Sequence, residues 1–90
     1  MSGGPWSYPP ELGEALTAFG LAPGPATPPA LTRDALSDLY RYELRRLRDR
    51  LKAGQVDKAD YQNLVIALRK RYWPLSLTPA AWDDICSRGS

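Results

Sequence analysis

The tripeptide Gly54-Gln55-Val56 constrains this chain more than any other stretch, because it separates two segments that both carry apolar residues at a helical period. Upstream, Thr32 can serve as an N-cap, Asp34 sits in the first turn and Gly54 provides a stop, so the spacing predicts a helix over 33–53. Downstream, Val56 precedes Asp57 as N-cap, Asp60 stands three residues on, and Tyr61 is placed to staple against Val56. That second helix is expected over 58–73, where Pro74 ends it. A connection this short makes two neighbouring helices run antiparallel, so the pair is expected to form a hairpin.

Each helix shows which side it buries. Leu36, Tyr40, Leu44, Leu47 and Leu51 fall within an arc of roughly 80° at 100° per residue, and they form the expected core. Tyr61, Leu64, Val65, Leu68 and Tyr72 keep the same period on the second helix. Ile66 and Trp73 make a second apolar strip there, which predicts a helix lying between two neighbours.

Shorter elements flank the hairpin. The first ten residues, MSGGPWSYPP, read as an irregular arm pinned by Trp6 and Tyr8. From Pro10 onward Leu12, Ala15, Leu16 and Phe19 form one face, Glu11 and Glu14 favour the N-terminal end of the helix dipole, and Gly20 can close the helix while Leu21 folds back. Residues 22–30 hold four prolines in nine positions and read as a semi-rigid connector. At the far end Thr78 is an N-cap followed by Pro79 at its favoured first position, starting a last short helix docked by Trp82 and Ile85. Trp73 and Trp82 are expected in the core, as large aromatics dominate burial in small domains. The predicted fold is therefore all-α: a small single-domain bundle built on a long antiparallel hairpin with short N- and C-terminal helices. Residues 1–30 would supply the arm, first helix and connector, and 31–90 the hairpin and last helix as one folded unit.

Several classes of function are disfavoured by what the chain contains. No run approaches the roughly 18 apolar residues of a membrane span, and the N-terminus lacks a signal-peptide pattern, so a cytoplasmic protein is expected. With one cysteine, Cys86, and no histidine, neither an internal disulfide nor the usual zinc ligand sets can be assembled. Cys86 has no obvious base nearby and reads as a buried apolar residue. Asp83 and Asp84 point about 100° apart on a helix, which speaks against a paired-carboxylate site. The glycines match neither GxxxxGK nor GxGxxG. We therefore expect no catalytic residue, no metal and no cofactor, with a small enzyme ranking below binding roles.

Charge supplies the positive signal. Residues 41–71 carry ten basic and four acidic side chains, although the whole chain is only +2. Arg41, Arg45, Arg48 and Lys52 gather within an arc of roughly 60°, away from the leucines, while Arg46 and Arg50 lie on the other flank with stems placed to cover apolar surface. In a hairpin Arg69, Lys70 and Arg71 return to the level of Tyr40 and Arg41, where the clusters could merge, and Trp73, should it be open rather than in the core, would be an aromatic anchor beside Arg71. Helix-neighbour pairs Asp38 with Arg41, Glu43 with Arg46, Arg45 with Asp49, and Asp49 with Lys52 would occupy part of this charge. The leading expectation is a non-enzymatic accessory protein offering Arg41, Arg45, Arg48, Lys52, Arg69, Lys70, Arg71 and Trp73 to another protein, an acidic one being suited to their charge. The alternative is a phosphate-contacting nucleic-acid binder with Tyr42 stacking on a base, although the long first helix fits a helix-turn-helix poorly. Self-association through a leftover apolar strip is a further expectation.

Overall fold

A computed structural model of the chain describes residues 5–87, so the first four residues of the expected arm lie outside it. The chain forms α1 (Pro10–Ala18), α2 (Pro29–Lys52), α3 (Lys58–Arg71), a 3-10 turn (Trp73–Ser76) and α4 (Pro79–Cys86), with no strand among the described residues. The all-α bundle is what the sequence predicts.

Local chemistry sets most boundaries. After α1, Gly20 adopts φ +80, and its amide and that of Leu21 donate to Thr17 O at 2.9 Å and Leu16 O at 2.9 Å, closing a Schellman motif. The same device ends α2: Gly54 has φ +77, and Gly54 N–H and Gln55 N–H donate to Leu51 O at 3.1 Å and Arg50 O at 2.9 Å. Asp57 Oδ1 caps α3 by accepting from the Asp60 amide at 2.8 Å, and Thr78 Oγ1 caps α4 by accepting from Ala81 at 3.1 Å.

The start of α2 corrects the sequence expectation. Pro28 is the N-cap and Pro29 the first helical residue, so the helix begins about a turn earlier than the 33 predicted. Proline is tolerated there because its missing N–H is one that no helix start can pair. Thr32, released from capping, is buried inside the helix, with Oγ1 3.0 Å from the Tyr8 hydroxyl. Tyr8 donates its own proton to Thr27 O at 2.8 Å, so Thr32 is the donor between them. Burial raises the Tyr8 phenol above its usual range, opposed by the Thr32 hydrogen bond.

These bonds, with Trp6 N–H to Pro25 O at 3.0 Å and Ser7 N–H to Cys86 O at 2.8 Å, fix the arm and connector across the base of the molecule. The core sits in this base. Leu12, Leu16, Leu36, Tyr72, Trp82 and Cys86 form one cluster, so the first helix shares a core with the hairpin and the last helix. Trp82 donates Nε1–H to Pro74 O at 2.8 Å, and the Arg33 guanidinium reaches across to the carbonyls of Leu75 and Leu77, Nε to the latter at 3.2 Å. Burial holds the Cys86 thiol above its usual range, with Asp83 acting in the same direction.

α2 is the hub against which α3, α4 and the 3-10 turn pack. Among the described residues its first half is enclosed by the base and its second half pairs with α3, giving an elongated body of 54 × 18 × 17 Å. Burial follows that division. Of the expected core stripe, Leu36 and Leu47 are buried and Tyr40, Leu44 and Leu51 are half-buried, and α3 has no buried residue at all. Among the described residues no second neighbour covers the strip predicted from Ile66 and Trp73: Ile66 is 50% exposed and Trp73 38%, because the chain turns at Tyr72 and returns along the base of α2.

Candidate functional site

The base and the projecting hairpin meet at a cluster of aromatic and charged side chains. Tyr72, which ends α3, packs against Phe19 at 4.2 Å between ring centroids and meets Tyr40 edge-on at 5.3 Å. Its hydroxyl donates to Glu43 Oε2, and Arg71 Nη1 donates to Glu43 Oε1 at 3.3 Å while its guanidinium lies 5.1 Å from the centre of the Phe19 ring. Burial pushes the Tyr72 phenol well above its ordinary value, and the adjacent Glu43 carboxylate adds to this more than Arg71 offsets it. The cluster ties α1, α2 and α3 into one joint.

This joint redirects the hairpin's charges. Glu43 faces Tyr72 and Arg71 and makes no ion pair with Arg46, and Asp49 pairs with neither Arg45 nor Lys52 among the described residues. Among the described residues, Arg41 and Arg71 alone of the ten basic side chains in 41–71 lie within 4 Å of a carboxylate, Arg41 with Asp38 at 3.6 Å. The Arg41 pair is open to solvent and contributes little.

The predicted site residues fall into three places. Arg41, Arg45, Arg48 and Lys52 are exposed along one side of α2. Arg69 lines a shallow depression with Tyr40, Tyr72, Leu75 and Ser76. Arg71 turns to Glu43, because two residues on a helix are separated by about 200°. Lys70 is exposed between them. Trp73 borders a separate open depression with Glu11, Glu14 and Ala15, an acidic rather than a basic setting.

Sequence reasoning passed over a groove between the two helices. Leu47, Leu64 and Leu68 line it together with Glu43, Arg46 and Arg50, enclosing about 270 Å³. Leu64 is 38% exposed there, while Leu47 is 8% exposed. The signal was present in the apolar period of α3, which assigns Leu64 and Leu68 to the side facing α2; that Leu68 packs against the base while Leu64 stays 38% exposed depends on the path of the chain after Tyr72. Tyr42 stands outside the groove at 56% exposure, with the Arg46 guanidinium 5.8 Å from its ring centre. No described helix is long and apolar enough to cross a membrane.

Compared with known proteins, the chain matches no family model, and no curated protein or solved structure is significantly similar to it.

Proposed function

We propose that the protein is a non-enzymatic interaction module whose α2–α3 hairpin presents a cationic surface to an acidic protein partner. The observation that supports this most is the charge state of the hairpin. It projects beyond the core with ten basic residues, and only two of them are held by carboxylates among the described residues. Arginines predominate, and their planar forks favour bidentate contact with carboxylates. Unpaired arginines beside a partly exposed apolar seam are the composition found at protein interfaces, where Arg and aromatic residues are enriched.

A nucleic-acid role has one observation in its favour, the exposed Tyr42 ring next to Arg46, which has the form of a base-stacking platform. The two readings separate in one experiment. The protein and a variant with Arg41, Arg45, Arg46, Arg48 and Arg50 all changed to Gln are titrated with single- and double-stranded oligonucleotides at two salt concentrations, and both are used as bait in an extract of the native host. The protein-partner reading expects weak oligonucleotide binding and a specific protein retained by the parent but lost by the variant. Tight oligonucleotide binding that falls steeply with salt and disappears in the variant would replace it with the nucleic-acid reading.

A further inference from the structure

We infer that the groove floored by Leu47, Leu64 and Leu68 seats an acidic amphipathic helix of the partner protein; the inference rests on reading the hairpin as a protein-binding element and names its seat and its occupant.

The molecule shows what covering this seam requires. In the base, the α2 stripe is sealed at Leu36 by a core to which α1 and α4 contribute, leaving that residue with no exposure. The stripe continues through Leu47 to Leu51 with the same period, where α3 is the element packed on it among the described residues, and Leu64 is left 38% exposed beside Leu47 and Leu68 in an open trough. A helix laid in this trough would extend the packing already present in the base. The residues lining the trough run from Glu43 to Arg50 on α2, about 10 Å at 1.5 Å per residue, which seats about two turns of a docked helix.

Charge selects which helix. Arg46 and Arg50 stand one turn apart on the rim with no carboxylate within 4 Å among the described residues, and the only acid lining the groove, Glu43, is engaged by Tyr72 and Arg71. The rim is therefore cationic and the floor apolar, which fits a helix with leucine-like anchors on one face and glutamates or aspartates beside them. A second copy of this chain would bring the same arginines against each other. A phosphate backbone would satisfy the rim while leaving the leucine floor without an apolar partner.

The test uses fluorescence anisotropy with a fluorescein-labelled peptide of about 16 residues, some 24 Å as a helix, carrying leucines at i, i+3, i+4 and i+7 flanked by glutamates. Controls are a scrambled peptide of the same composition and one with lysine in place of glutamate. The acidic peptide is expected to bind at least about tenfold tighter than either control, and Leu64→Gln and Arg46→Glu/Arg50→Glu are each expected to weaken it by about tenfold or more. Both variants alter exposed positions, and unchanged circular dichroism and urea midpoints verify that they fold. The Arg41→Gln/Arg45→Gln/Arg48→Gln variant should remain within about threefold of the parent, since those residues lie outside the groove. Equal binding of the scrambled peptide, or no binding of any peptide, overturns the groove as the seat, while a partner retained from the host extract would still support the broader reading. Loss of binding in the Arg41, Arg45 and Arg48 variant alone overturns the groove and transfers the site to that side of α2. Dimerisation of the free protein that Leu64→Gln abolishes, seen by sedimentation equilibrium, assigns the groove to a second copy and overturns the inference.

Discussion

Replacing Tyr72 with Phe removes one oxygen from the joint between base and hairpin and leaves its rings in place. Phe19 at 4.2 Å and Tyr40 at 5.3 Å would still meet an aromatic face, so the loss is confined to the bond donated to Glu43. A hydrogen bond to a charged acceptor contributes about 1.5 to 3 kcal/mol. Glu43 keeps Arg71 at 3.3 Å, and its side chain is 33% exposed, so water replaces part of what the hydroxyl gave and the low end applies, about 1.5 kcal/mol. For a chain of this size that corresponds to a fall in Tm of roughly 6 to 12 °C. Urea unfolding followed by tryptophan fluorescence should show a lower midpoint with an unchanged slope. The pH dependence gives a second readout. Because the folded-state pKa of Tyr72 lies above the ordinary phenol value of 10.0, the native state holds this proton more tightly than the unfolded chain, and the stability is fully present below that value and lost as pH rises above it. Tyr8 and Cys86 are shifted in the same direction and contribute their own alkaline losses, so Tyr72→Phe should make the decline shallower without abolishing it. A variant within about 0.3 kcal/mol of the parent, or an unaltered alkaline decline, would refute the reasoning about this joint.

Three further outcomes follow from the uneven burial and the caps. Leu36→Ala should cost about 3 kcal/mol and Leu64→Ala less than about 1 kcal/mol, since the first opens a cavity in the core and the second trims a side chain in an open groove; equal losses in urea melts would contradict a core confined to the base. Gly54→Ala should destabilise by about 1 to 2 kcal/mol through backbone strain alone, because φ is +77 while a Cβ there would meet nothing within 4 Å, and thermal melts should separate it from a harmless Gly24→Ala. Cys86, fully buried with its thiol held above the usual range, should resist alkylation by iodoacetamide at neutral pH until denaturant unfolds the base; rapid labelling of the native protein, read by mass spectrometry, would show the base to be open.

What the sequence could determine was local. Gly20, Gly54, Asp57 and Thr78 end or begin helices through bonds spanning three to five residues, so the caps at these positions lie where their spacing placed them. The hairpin followed from a short connection, five residues between Lys52 and Lys58, for the same reason. Tertiary structure decided everything that required knowing which distant group arrives. Thr32 looked like a cap and became the partner of Tyr8, because two prolines could already start the helix. Glu43 looked like the helix-neighbour mate of Arg46 and was engaged by Tyr72 and Arg71, leaving Arg46 with no carboxylate within 4 Å among the described residues. The leucine period marked one face along the whole of α2 and gave no sign that α1 and α4 would seal only its first half. A helical period specifies the side that prefers cover, whereas the path of the chain after Tyr72 sets how far that cover extends, and the exposed seam of the hairpin exists because the chain turned back before reaching it.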